Sequence, residues 1–277
     1  MHGCGNDYVY IDCVGHDYKF DDEGAVAVKL SDRHFGVGGD GIILIKKGTV
    51  ADFEMVMYNA DGSRGAMCGN GIRCVAKYVY DKGYVKSESF TIESMGAVKY
   101  IDVTVKDGKV THAKVDMGRP ELSASKIPVV TDGERAVLMP MTVDGKEFKT
   151  TCVSMGNPHA VSFIDEHPKD FDLNRYGRIV EQNTALFPDR INAEFAKIVD
   201  RQNIEMRVYE RGTGETLACG TGACATAVAA IVNGLADNDL TVHLLGGDLQ
   251  ISWSGGENDS VFMTGPATYV FKGKIKI

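Results

Sequence analysis

A chain of 277 residues, 44% hydrophobic and 25% charged, has the makeup of a soluble globular protein and length enough for two domains of near-equal size. Its formal charge of −8 argues against nucleic acid or an anionic membrane as a main partner. The longest apolar stretch, roughly residues 223–232, is too short to span a bilayer, and no basic segment leading into an apolar run opens the chain, so a cytoplasmic location is expected. Seven cysteines, an odd number without a secretion signal, read as free thiols in a reducing compartment.

In chain order, MHGCGNDYVYID places a glycine-flanked Asn6-Asp7 turn before a β-rich run, and Asp21 or Asp22 is positioned to cap a helix running to about His34. Residues 36–41, GVGGDG, match G-x-G-x-x-G, but the next residues, IILI, read as a strand where a dinucleotide fingerprint needs a helix. A turn is the better reading. The alternation of Met55 and Met57 with Val56 and Tyr58 reads as a strand, and further strands are expected at about 89–94, 97–106 and 110–117, with Asp107-Gly108 as a hairpin turn. None of the seven prolines precedes Pro120, and the crossing between domains is placed at that change of composition. Strands at about 136–143 and 146–154 flank Asp144-Gly145, a helix at about 172–182 is the counterpart of the one at 22–34, and strands follow at about 193–200 and 204–210. After a second apolar helix come strands at about 240–245, 248–254, 260–264 and 267–271.

The organising feature is a repeat. IEMRVYERGTGETLACGTG at 204–222 lies without a gap over FEMVMYNADGSRGAMCGNG at 53–71, sharing Glu54/Glu205, Met55/Met206, Tyr58/Tyr209, Cys68/Cys219, Gly69/Gly220 and Gly71/Gly222 at a constant shift of 151. The same shift joins Gly5-Asn6 to Gly156-Asn157, and each cysteine opens an apolar run closed fifteen residues later by Gly83 or Gly234. Each copy reads as a strand, a polar turn and a glycine-opened helix whose apolar spacing marks it as buried. The expected fold is α+β: two pseudo-symmetric duplicated domains, each a curved, mostly antiparallel β-sheet wrapped around a central buried helix. The first domain covers 1–117 with 265–277 and carries Cys68; the second covers 118–264 and carries Cys219, with the active site expected in the cleft between them.

Both cysteines fall at helix starts, where unpaired N–H groups and the macrodipole favour negative charge. That position is expected to lower a thiol pKa from about 8.5 toward roughly 3.5–7.5. If both helix starts face one small ligand, a thiolate on one side removes an α-proton and a thiol on the other returns one, inverting the stereocentre. A single nucleophilic cysteine with His159 as base, a redox pair and a purely structural role stay open on residue chemistry alone. The spacings of Cys68/Cys74 and Cys219/Cys224 do not fit zinc ligand pairs, and Cys13, Cys74, Cys152 and Cys224 read as small buried hydrophobes.

MHGCGNDYVYID, YNADGSRGAMCGNGIRC, SMGNPHAV, FPDRIN and VYERGTGETLACGTGACA, in this order, resemble the diaminopimelate epimerases. The resemblance implies isomerisation of LL-2,6-diaminopimelate to the meso form, on the route to lysine and bacterial peptidoglycan, without pyridoxal phosphate, metal or other cofactor. It implies Cys68 and Cys219 as the catalytic pair and His159 and Glu210 as thiol-tuning residues. Asn6, Asn59, Asn157, Asn192, Glu210 and Arg211 are implied as substrate-binding, with Gly69, Asn70, Gly220 and Thr221 at the two helix starts. Its expected partner is the small-molecule substrate, not nucleic acid or membrane, and a homodimer is compatible with the sequence. A racemase of another amino acid on the same scaffold, or a Cys-His thiol hydrolase, is the alternative.

Overall fold

The 151-residue shift that relates the two cysteines also relates the secondary structure. The computed structural model describes residues 1–276, which divide into a unit of Met1–Asp116 with the tail from Thr264 and a unit of Met117–Met263. The first holds β1 (His2–Gly3), β2 (Asn6–Asp7), β3 (Val9–Asp12), α1 (Glu23–Ser31), β4 (Gly41–Lys47), β5 (Phe53–Asn59), β6 (Arg64–Gly65), α2 (Gly69–Asp81), β7 (Ser89–Ser94), β8 (Ala97–Lys106) and β9 (Lys109–Gly118), which carries the chain out. The second holds β10 (Met139–Val143), β11 (Lys146–Ser154), β12 (Pro158–Phe163), α3 (Leu173–Glu181), β13 (Asn192–Asp200), β14 (Asn203–Glu210), β15 (Gly214–Thr216), α4 (Gly220–Val232), β16 (Asp239–Leu244), β17 (Gly247–Ser252) and β18 (Val261–Pro266), which leads back. Moved by 151 residues, α2 falls on α4 residue for residue.

Pairing repeats as well. β3 runs parallel to β4 as β12 does to β13, β5 runs parallel to β7 as β14 does to β16, and the hairpins β4–β5 and β13–β14 are antiparallel. A helix-bearing connection separates the strands of each parallel pair, as parallel strands require. Asp107-Gly108 and Asp144-Gly145 have positive φ at both residues (52° and 72°; 49° and 76°), the geometry of the tight hairpin turn their sequence predicts.

The sheets are buried on both faces. In the first unit Val26, Ala27 and Leu30 of α1 pack on Ile42, Leu44 and Val56, while the alternate residues Ile43, Ile45, Met55 and Met57 are also buried. Two covered faces explain why IILI is continuously apolar rather than alternating. Each such side chain contributes about 1.5–3 kcal/mol on burial. In the second unit α3 supplies Leu173 and Val180 to a cluster with Phe148, Phe171 and Phe195, and α4 packs against β11, β12, β13, β14, β16 and β17. Only a curved sheet can present so many strands to one helix.

Both buried helices stop the same way. Gly83 (φ 76°) and Gly234 (φ 70°) adopt the left-handed conformation, and the next residues return N–H bonds of 2.9 Å, Tyr84 to Val79 O and Leu235 to Ala230 O. This is the glycine-terminated cap that satisfies carbonyls left over by the last turn.

Four expectations are corrected. α1 ends at Ser31, not near His34, because Asp32 Oδ1 takes the N–H groups of His34 and Phe35 at 2.7 Å each and so diverts them from the helix. The strand expected from 136 starts at Met139, after Leu138 turns to φ 50°. The strand expected at 267–271 reduces to a single bridge of Thr268 with His2. Cys13 is half-buried rather than core. No helix among the described residues is long and apolar enough to cross a membrane.

Candidate active site

A cysteine stands at the N-cap of both buried helices. Cys68 (φ −134°, ψ 111°) and Cys219 (φ −117°, ψ 111°) have extended backbones, and each sulfur accepts the N–H three residues on, from Gly71 at 3.3 Å and from Gly222 at 3.4 Å. The sulfur therefore does what a serine oxygen does at an ordinary cap. Glycine at the third position lets each helix start lie close to the sheet. A Cβ on Gly71 would sit 2.6 Å from Ile43 Cδ1, and one on Gly222 would sit 2.8 Å from Glu194 Oε1.

In the first unit the Cys68 thiol donates to Asn6 Oδ1 at 3.2 Å, and Asn6 Nδ2 donates to Asp40 Oδ2 at 2.7 Å. Below them the first turn of α2 is braced by Arg73, fully buried, which donates to Gly69 O (3.0 Å), Asn70 Oδ1 (2.9 Å) and Pro266 O (3.2 Å). Asn70 is thus a structural partner of Arg73 as well as a residue of the helix start. Asn59 lies at the end of β5 and donates to Ser63 Oγ at 3.0 Å.

In the second unit Cys219 is buried and its sulfur lies 3.5 Å from Thr221 Oγ1. His159 is fully buried with both ring nitrogens engaged: Nδ1 with Glu194 Oε1 at 2.6 Å and Nε2 with Asn157 Oδ1 at 3.1 Å. Asn192 pins two neighbouring segments, donating to Pro158 O at 3.0 Å and accepting from Arg211 N–H at 2.8 Å. Glu210 accepts from the Thr216 hydroxyl, while the exposed Arg211 guanidinium donates to Asp189 O at 2.9 Å. The structure thus gathers Asn6, Cys68, Gly69 and Asn70 at one helix start. At the other it links Asn157 to His159 and Asn192 to Arg211, and sets Thr221 beside Cys219.

Glu194 is the residue that sequence reasoning missed. It sits in β13, fully buried, with one carboxylate oxygen on His159 and the other without a hydrogen-bond partner. Its neighbours Ala193 and Phe195 face the α3 layer, so the alternation of a strand turns Glu194 toward α4. The available signal was a charged residue in AEFA, a run otherwise apolar enough to be buried on both faces.

The expected lowering of the thiol pKa values is overturned. Burial pushes Cys68 up to about 11, and the N–H groups of Gly71 and Asn70 and the charge of Arg73 oppose it without winning. Cys219 is also pushed well up, first by burial, then by the negative charges of Glu210 and Glu194; Thr221 and the Gly222 N–H act the other way. Taking a thiolate out of water outweighs a helix terminus that supplies only partial charges. Glu194 is itself raised by burial, with His159 opposing. With both pKa values raised, the thiol form of each sulfur is favoured at neutral pH.

Two duplicated α+β units, each with one buried central helix, define a fold that solved structures share. It is found in a Bacillus anthracis phenazine biosynthesis protein of the PhzF family (TM-score 0.69, 16% identity, 97% of this chain and 92% of that one). It recurs in a hydroxyproline epimerase from Agrobacterium vitis (TM-score 0.65, 13% identity, 96% and 86%). The family model described as Diaminopimelate epimerase matches residues 1–123 and 151–270. The diaminopimelate epimerase of Acetivibrio thermocellus is 51% identical over 277 residues, spanning 100% of this chain and 97% of that relative. The chain belongs to the diaminopimelate epimerase family.

Proposed function

We propose that this chain interconverts LL- and meso-2,6-diaminopimelate by moving an α-proton between two sulfurs, Cys68 and Cys219. The observation that carries the reading is the repetition of one capping cysteine at the same place in both copies, in a chain 51% identical over its whole length to a relative of that name. Inversion at carbon needs a base on one face and an acid on the other, and two side chains of one type serve both directions by exchanging roles. The base and acid come from the chain itself.

Because both thiols are raised, the working state of one thiolate and one thiol arises when substrate binds, as the substrate ammonium offsets a sulfur's charge. The two then titrate as a coupled pair. The first-turn N–H groups at Gly69-Asn70 and Gly220-Thr221 are suited to the α-carboxylate and to charge that develops during proton removal. Arg211 is suited to the distal carboxylate; Asn6, Asn59, Asn157 and Asn192, with donors and an acceptor each, to either charged end. His159 and Glu210 are assigned to tuning the thiols, Glu210 through its charge on Cys219. The substrate is the partner this site requires, and the chain's seven cysteines suit the reducing cytoplasm.

The test is proton NMR of LL-diaminopimelate with the reduced protein in D₂O. Loss of the α-proton signal together with appearance of the meso isomer supports the reading. A persistent signal, with exchange of the α-proton of a single-ended amino acid such as proline or histidine instead, moves the assignment to a racemase on the same scaffold.

A further inference from the structure

The wiring of Cys68 fixes more than its position. Asp40 leaves the glycine loop just before β4 and is held on all sides: its N–H donates to Asp7 O (2.7 Å) and its carbonyl accepts from Ala60 N–H (3.0 Å). Its carboxylate accepts from Asp7 N–H (3.1 Å), Arg33 Nη2 (3.0 Å) and Asn6 Nδ2 (2.7 Å). A carboxylate has no proton to give, so the NH₂ end of the Asn6 amide must face it. This settles the orientation of an amide whose two ends otherwise look alike. The carbonyl end is then turned to Cys68, 3.2 Å away. A carbonyl only accepts, so the sulfur facing it has to carry its proton.

We propose that Asp40 is a positioning residue for the epimerase: it locks Asn6 with its carbonyl on Cys68 and so keeps that sulfur a thiol until substrate displaces the contact. The reading of Cys68 as a catalytic thiol gives the lock its purpose. A hydrogen bond to the neutral form of an acid disfavours its ionisation. The other groups facing this thiol are Arg73 and Cys74 from α2 and Tyr10 from β3, and Asp7 lies beside Asn6. The second copy is wired differently. Asn157, 151 residues after Asn6, faces His159 instead, and the place of Asp40 is taken by Ile191. The lock belongs to one half, so the two sulfurs are chemically unlike before any substrate arrives.

The test reads the pH midpoint of Cys68 alkylation by iodoacetamide, site-resolved by mass spectrometry, in the substrate-free protein. Wild type, Asn6→Ala, Asp40→Ala and the double variant are compared. Alanine at 40 offers Asn6 no acceptor and so abolishes the lock. Asn6→Ala and Asp40→Ala are each expected to lower the midpoint by about one unit, the equivalent of one neutral hydrogen bond. The double variant is expected to go no lower than Asn6→Ala. An unchanged midpoint in Asp40→Ala overturns the proposal; so does a further drop when it is added to Asn6→Ala, which would be charge acting through space. If Asp40→Ala does not fold, the wild-type S–H stretch, assigned by difference from Cys68→Ser, decides: a hydrogen-bonded frequency supports the lock and a free-thiol frequency overturns it. Neither readout uses turnover. Failure here therefore leaves the epimerase reading standing, and failure to epimerise leaves the thiol result standing.

Discussion

In a His159→Leu variant the buried Glu194 carboxylate loses the side chain that holds it at 2.6 Å. Its other oxygen is already without a hydrogen-bond partner. Breaking a buried pair from one side costs about 3–5 kcal/mol, and at roughly 2–4 °C per kcal/mol the melting temperature falls by about 6 °C or more. Glu194→Gln is the contrast. It keeps the shape and a neutral bond from the imidazole, trading a charge-assisted bond of about 1.5–3 kcal/mol for one of about 0.5–1.5, and it removes the cost of burying a carboxylate. Its melting temperature is expected within a few degrees of wild type.

The pH dependence separates the two further. Burial raises the Glu194 pKa above its unfolded value. A group raised in this way contributes stability that is fully present below its unfolded pKa of about 4.3 and is lost as pH rises through the folded value. Without His159, which opposes the shift, the folded value climbs further. The His159→Leu deficit relative to wild type should therefore be large at pH 7–8 and shrink toward pH 4, while Glu194→Gln shows no such trend. Thermal melts by circular dichroism across that range are the assay. An equal His159→Leu deficit at both ends, or a Glu194→Gln deficit of the same size, would refute the buried-pair argument.

Cys68→Ala and Cys219→Ala are each expected to slow epimerisation by about 10²-fold or more, the usual worth of a positioned acid or base; near-wild-type turnover of either in the D₂O assay would exclude the two-base scheme. Gly71→Ala should destabilise by about 1–3 kcal/mol through overpacking, since its Cβ would lie 2.6 Å from Ile43 Cδ1. Adding Ile43→Val, which removes that methyl, should recover part of the loss in urea unfolding. Gly83→Ala and Gly234→Ala meet open space but sit at φ 76° and 70°, so each is expected to cost about 1 kcal/mol by backbone strain alone. Unchanged denaturation midpoints would refute the cap assignment.

Much of the fold was legible because it is written twice in local patterns. The shift of 151 residues, the apolar spacing of Ile72, Val75, Ala76 and Val79, and the closing glycines located both buried helices and their cysteine caps. The Asp-Gly pairs located hairpins because few other residues accept positive φ at two successive positions. Two strand boundaries failed at places where a backbone turn or a single cross-strand bridge, not residue type, decided the outcome: Leu138 and Thr268. Parallel pairing was not legible either. Apolar runs such as IILI announce burial on both faces but not which strand lies alongside.

The direction of the thiol shifts shows the limit most clearly. Sequence placed Cys68 and Cys219 at helix starts and correctly implied N–H groups on each sulfur. It did not show how deeply the sheets bury them, and burial reverses the sign. The partners that matter are far apart in the chain: Asn6 reaches Asp40 across 34 positions and Cys68 across 62, and His159 reaches Glu194 across 35. Local sequence determined helix, strand, turn and the repeat, because those follow from the φ/ψ preferences and apolar period of neighbouring residues. Only the tertiary structure decided which polar groups share a dry space, because strand pairing across the unit brings them together, and in that space their desolvation sets where each proton rests.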